Sequence, residues 1–553
     1  MFTHSTRKRR SLTLAGAAAA AALTLTACAG GGAGGAAGAQ GGGLDVDLSN
    51  LATTTEPGTQ PVDVVNWNLP YEPLSIDPWF SFNYAENTVI ANMCESLMRM
   101  NPDLSSSPGL AESVATPDDT TYVYTLRDGV TFWDGTPLTP ADVVYSLGRQ
   151  VGPETPSYYN EYFLSVESVE QTGDREVTVK LKQPDALFEQ AMSVAAGAIV
   201  QKAAAEAAGE QFGTPQGGMQ CTGPFALDAW NAGKSIDLVK NENYWDAELA
   251  PKVEKLSFSF IADESTAINA LRSGDVDGQF FYLPPTGLGQ LESSDAVTTT
   301  YGKSFVFWTL ASATEEGPFA DPRVREALLQ SIDRQAVADV VFQGAAIAAP
   351  TLAGPDYWGD RADIFEPAWS EFSAKSDPAK AKELLGEVGD LSKPITIAIQ
   401  GSSAVHEQTA NLLQAAGQAV GLTIETKVVP VEQYGNLYFD PEARKGIDAF
   451  FTTWYGNVTD PLDVYQVFTE GGMSNFGDYT EVSDLVAEAR AELDPTARAE
   501  LTNEIQAKVT EELPWMPLNY MPTILVQNDR ISGATASVAY LYYPWAATIG
   551  GVE

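Results

Sequence analysis

Side chains able to do covalent or metal chemistry are scarce in this 553-residue chain. There are two histidines, His4 and His406, and three cysteines, Cys28, Cys94 and Cys221. No C-x-x-C or H-E-x-x-H spacing occurs, so the usual donor sets of a zinc site are missing. Gly233-Lys-Ser235 and Gly302-Lys-Ser304 end like phosphate-binding loops, but the glycine that would open each falls on Asp228 and Val297. Asp275-Val-Asp277-Gly stops short of the further ligands of a calcium loop. With 73 acidic residues, paired carboxylates arise too often to mark an acid–base catalyst. His406 stands at the start of a predicted helix and reads as a solvated residue near its cap. The expectation is a protein that is not an enzyme and carries no cofactor and no metal.

Charge narrows the partners. The formal net charge is −41, with 32 basic residues against 73 acidic ones. Such a chain repels nucleic acid and anionic headgroups and stays soluble; it says nothing direct about a ligand's charge. The length exceeds one hydrophobic core and implies two or more lobes.

The N-terminus reads as a processing segment. Arg7 to Arg10 form a basic cluster, Ser11 to Ala27 a short apolar stretch, and Leu25-Thr-Ala-Cys28 resembles a bacterial lipobox, which implies acylation of Cys28. Thr13 breaks the apolar pair expected after a twin-arginine signal at Arg9-Arg10, which favours the general secretory route. Residues 29–61 are expected to be a flexible Gly-rich tether that holds the body near the membrane. In an oxidising compartment Cys94 and Cys221 are then an even pair, predicted to form a disulfide, with two buried free thiols as the alternative.

The elements that follow have a clear order. Tyr122 to Leu126 alternates as a half-buried strand, Asp128-Gly129 turns, Val130 to Trp133 is predicted to return as a second strand, and Thr139-Pro140 opens a helix with Asp142 near its positive end. A helix is predicted over Thr88 to Met100, and a strand–helix–strand unit over Ile395 to Val428.

The string Leu126, Arg127, Gly129, Val130, Phe132, Asp134, Gly135, Pro137, Leu138, Thr139, Asp142, Val143 and Arg149 closely resembles the hallmark of the family 5 extracellular solute-binding proteins. Thr222-Gly-Pro-Phe225, Asn241 with Tyr244-Trp245, and Asp321-Pro-Arg-Val-Arg through Asp333-Arg334 resemble further family segments. The resemblance runs from about Val62 to the C-terminus. It implies an α/β, two-lobed periplasmic-binding-protein fold, type II, of the large cluster with an extra subdomain in the first lobe. Lobe I would be 62–308 plus 523–553, with the inserted subdomain at about 90–215, and lobe II would be 309–522.

By that resemblance the chain is the substrate-binding component of an ABC importer. It would be a lipid-anchored monomer on the extracytoplasmic face, capturing a small-molecule solute, by default an oligopeptide, and serving a permease and ATPase complex. The resemblance puts Tyr71, Phe82, Tyr282, Trp308, Tyr357, Trp358, Trp454 and Tyr455 at the cleft, where aromatic faces stack on sugars, peptide side chains or cations. Thr453-Trp-Tyr-Gly-Asn-Val-Thr-Asp-Pro461 resembles a W-x-x-D-x-x-D-P loop whose first Asp pairs with a peptide's α-ammonium in the family's peptide binders. Here that position is Asn457, which lacks the ion-pair contribution. The departure favours, as alternatives, an oligosaccharide or another neutral solute. A secreted hydrolase and an adhesion lipoprotein are the readings from other classes.

Overall fold

The computed structural model describes residues 44, 46–152, 157–314, 316–472 and 474–552; Cys28 and the leader lie outside the described residues. Two large sheets organise the body. The first runs Val297–Gly302, Thr523–Asn528, Gly278–Phe281, Val62–Leu69, Val253–Phe260, Ser235–Lys240, Phe225–Asn231. The second runs Ile347–Ala348, Trp515–Tyr520, Phe307–Ser312, Ala449–Trp454, Ile395–Gln400, Ile424–Val429. The chain changes sheet twice, between Gly302 and Phe307 and between Tyr520 and Thr523. A separate four-stranded sheet, Ala111–Asp118, Thr121–Leu126, Glu176–Leu181, Val166–Gln171, lies within the stretch assigned to the inserted subdomain.

In the first sheet Val62–Leu69 pairs in parallel with Val253–Phe260 and Gly278–Phe281. These central strands mix apolar residues with polar ones: Val65, Trp67, Leu256 and Phe258 are fully buried, while Asp63 and Glu254 are exposed. Trp67 is fully buried and meets Trp545 at 4.4 Å between ring centroids. A Cβ at Gly278 would lie 2.2 Å from that indole, so the strand must carry glycine there. Trp545 also donates through Nε1 to the carbonyl of Thr88 at 2.9 Å. The C-terminal segment thereby fixes the short helix Tyr84–Ile90, whose first residue faces the cavity described below.

In the second sheet the predicted strand–helix–strand unit forms as Ile395–Gln400, Ala404–Val420 and Ile424–Val429, with the strands parallel. Ser403 caps the helix, its hydroxyl accepting from the backbone N–H of His406.

Four local expectations are corrected. Val130 to Trp133 makes no strand: Thr131 bridges Pro137, Phe132 donates to the carbonyl of Thr136 and Leu138 to that of Val130, and the pairing goes no further than this tight turn. The helix predicted to reach Met100 stops at Ile90, and Met98–Met100 is a strand. The tether does not extend to residue 61. Ala52 donates to Tyr301, Thr55 to Ala534 and Thr59 to Gly551, so the backbone from about residue 52 is bonded to the body. His406 is buried and not solvated. The helix start at Pro140 does form as expected, with Asp142 accepting from the backbone N–H of Thr139 at 3.0 Å.

Cys94 and Cys221 are joined by a disulfide, linking the segment after Tyr84–Ile90 to the Thr222-Gly-Pro element. Gly223 packs there against the carbonyl of Met93, too close for any Cβ.

Candidate functional site

A cavity of about 830 Å³ lies between residues of the two large sheets. That volume is within the usual range for ligand pockets. From the side of the first sheet it is lined by Tyr71, Phe82, Tyr84, Tyr158, Gln279 and Tyr282. From the side of the second it is lined by Trp308, Gln400, His406, Tyr438, Trp454 and Tyr455, among others.

The walls are stacked aromatic rings. Tyr84 stacks on Tyr282 with centroids 4.1 Å apart and meets Tyr455 at 5.1 Å. Trp308 stacks on Phe451 at 5.2 Å. Phe82 packs against Tyr158 at 4.8 Å and meets Phe439 edge-on at 6.2 Å, so this contact and that of Tyr84 with Tyr455 join the two sides. Rings held by neighbouring rings keep their faces fixed, which reduces the entropy lost on binding a flat or apolar ligand group.

Four tyrosine hydroxyls are tied down by the frame, whereas that of Tyr84 is buried with no protein partner. Tyr434 donates to the carbonyl of Phe451 at 2.8 Å, Tyr438 to Thr452 at 2.8 Å, and Tyr455 to the carbonyl of Phe82 at 3.1 Å. Tyr71 donates to Glu86 at 3.2 Å. The Nε1–H of Trp308, by contrast, is buried with no protein partner.

The charge of the lining is sparse. The described lining residues include Asp263 and Glu264 but no lysine or arginine. Asp263 caps its helix through Thr266 at 2.8 Å, and this bonding holds its carboxyl below the usual range. His406 sits among Trp308, Tyr434 and Phe451, and burial pushes its pKa down to about 3. It is therefore neutral at physiological pH and adds no cation to the cavity.

Six sequence-predicted site residues line the cavity: Tyr71, Phe82, Tyr282, Trp308, Trp454 and Tyr455. Three do not. Tyr357 is buried, stacking on Phe305 at 4.5 Å and donating to its carbonyl at 2.7 Å. Trp358 packs against Trp369 and Phe365 in a small separate core. Asn457 is buried with its amide bonded to Tyr162 and Tyr542, away from the cavity lining.

Sequence reasoning missed Tyr158, Gln279, Gln400, Tyr438 and His406. The last had a usable signal: a helix opening directly from the C-terminal end of a parallel strand points its first turn at the crevice where such sheets bind ligands. Among the described residues there is no group of His, Cys, Asp and Glu placed to hold a metal, and no helix is long and apolar enough to cross a membrane.

The family model described as bacterial extracellular solute-binding proteins, family 5 Middle, matches residues 106–476. The chain is 27% identical over 476 residues to the glutathione-binding protein GsiB of Escherichia coli O1:K1 / APEC, covering 83% of this chain and 89% of that one. It is 26% identical over 501 residues to the oligopeptide-binding protein OppA of Bacillus subtilis (strain 168), covering 85% and 89%. The solved structure of the oligopeptide-binding protein AppA from Bacillus subtilis, in complex with a nonapeptide, superposes with a TM-score of 0.75 at 21% identity, covering 90% of this chain and 100% of that one.

Proposed function

The chain belongs to the family 5 bacterial extracellular solute-binding proteins, the two-lobed, extracytoplasmic substrate-binding components of ABC importers, and from that premise we propose that it captures an oligopeptide in the aromatic cavity and hands it to a membrane permease. The lobes are built on the two large sheets and meet at the crossings between Gly302 and Phe307 and between Tyr520 and Thr523. Closure about the two sheet crossings encloses the solute, and acylated Cys28 tethers the monomer beside its permease. The family's members bind solutes and do no bond-making on them, and this chain works as a carrier in the same way.

The observation that supports this most is the cavity itself, walled from both sheets by fixed aromatic faces. Peptides suit such walls because their side chains stack while their amides bond to groups such as Gln279 and Gln400. Isothermal titration with a panel of two- to five-residue peptides tests it, with micromolar or tighter binding of at least one length class as the supporting result.

A neutral solute such as an oligosaccharide is the second reading. It is favoured by the absence of lysine and arginine from the described lining. Titration with a panel of neutral oligosaccharides tests this reading, with micromolar or tighter binding of one of them as the supporting result.

A further inference from the structure

Two residues beyond the cavity-lining Tyr455, Asn457 stands in a chain of buried hydrogen bonds. Tyr542 donates to Asn457 Oδ1 at 2.6 Å, and Asn457 Nδ2 donates to Tyr162 Oη at 3.0 Å. Tyr162 spends its own proton on Asp463 Oδ1 at 2.5 Å, where Gln466 Nε2 also donates at 2.6 Å. The other oxygen of Asp463 accepts the backbone N–H groups of Asn457 and Val458, at 2.5 and 3.3 Å. Arg490 continues the chain, donating to Gln466 at 3.0 Å, to Asp185 at 2.5 Å and to the carbonyl of Glu161 at 3.1 Å.

These bonds cross between the two halves. Tyr162 and Asp185 belong to the segments around the four-stranded sheet, and Tyr542 follows Thr523–Asn528 of the first large sheet. Asn457, Asp463, Gln466 and Arg490 all lie between Ala449–Trp454 and Trp515–Tyr520 of the second large sheet. Two shorter crossings flank them: Thr459 donates to the carbonyl of Leu104 at 2.8 Å, and Tyr455 to that of Phe82.

We propose that this network is a latch: its bonds form when the halves close and part when they open, and Asn457 is the residue that completes it. The requirement at position 457 is specific. Tyr162 has no proton left for it, so the side chain must donate there, and Tyr542 brings a proton, so it must also accept. The amide of Asn457 does both, donating through Nδ2 and accepting through Oδ1. A carboxylate would lose the donor and place a second negative charge beside Asp463 in a buried site, where an unpaired charge is costly. The residue that departs from the peptide-binder pattern thus serves closure and touches no ligand.

A fixed core network would show the same bonds, so the test must read opening. Small-angle X-ray scattering of the full chain without added solute measures the populations of closed and open forms. The parent is expected to contain both. Tyr542→Phe removes one terminal bond, Tyr162→Phe removes the central hydroxyl, and Asn457→Asp removes the donor and adds charge. The closed fraction should fall in that order, reaching at least fivefold for Asn457→Asp, with circular dichroism unchanged. A closed fraction equal to the parent's in folded variants overturns the latch. So does a parent with one population only, or a mild variant, Tyr542→Phe, that fails to fold, since the network would then be fixed core.

Discussion

His406 accepts a hydrogen bond from the backbone N–H of Gln400 through Nδ1, at 3.2 Å, so the ring proton is on the other nitrogen. The ring is enclosed by Trp308, Tyr434 and Phe451, and its pKa is lowered to about 3. A histidine with a depressed folded pKa takes up its proton more readily in the unfolded chain. Its contribution to stability is therefore whole above about pH 6.5, where both states are neutral, and is lost progressively as pH falls towards 3. Nitrogen-15 NMR of the imidazole should show one neutral tautomer throughout pH 5–8. A midpoint of protonation near 6.5 in the folded protein would contradict the placement.

The disulfide between Cys94 and Cys221 closes a loop of 127 residues. On the chain-entropy account, a loop of this length stabilises by about 4–5 kcal/mol. Replacing both with serine, or full reduction, should lower the unfolding midpoint in denaturant without changing the far-ultraviolet spectrum of the native state. Equal stability of oxidised and reduced protein would sink this prediction.

Tyr282 stacks on Tyr84 and is only half-buried, so its loss leaves the fold mostly intact. Tyr282→Ala removes one face of the cavity, worth roughly 1–2 kcal/mol of contact, or about tenfold in affinity for the bound solute. The same measurement on Trp358→Ala should leave affinity unchanged, because Trp358 packs in a separate small core.

Burial raises the carboxyl of Glu161 to about 8, with Asp463 nearby adding to the effect and Arg490 opposing it. A carboxyl whose folded pKa lies above its unfolded value binds its proton more tightly when folded. Stability is thus highest below about pH 4.5 as far as this group decides, and is lost as pH rises through 8. Glu161→Gln, which cannot ionise, should raise the thermal midpoint by a few degrees at pH 8.5 and leave it nearly unchanged at pH 5. Equal effects at both pH values would argue against a protonated Glu161.

The scaffold was legible in the sequence because its signals are local. A capping residue at Thr139, the turn at Asp128-Gly129 and the apolar run of Ile395 to Ile399 each act within a few residues, and the structure follows them. The reading erred where distant residues decide. Residues 52–61 look like polar linker until Tyr301, Ala534 and Gly551 supply backbone partners. His406 looks solvated until Trp308 and Tyr434 fold over it. The cavity was half legible for the same reason. Tyr282 and Trp454 sit on segments whose place follows from the fold, whereas Tyr357 and Asn457 are drawn inward by hydroxyl and carbonyl partners many positions away.

The central claim is that a solute is enclosed between the two sheets' halves and released unchanged. Native mass spectrometry of the purified protein, before and after incubation with a peptide digest and with a neutral oligosaccharide mixture, tests it most directly. The account predicts a one-to-one adduct that survives desalting, is recovered chemically intact after denaturation, and is weaker in Tyr282→Ala. No adduct from any mixture, or recovery of cleaved products in place of the intact solute, would contradict it.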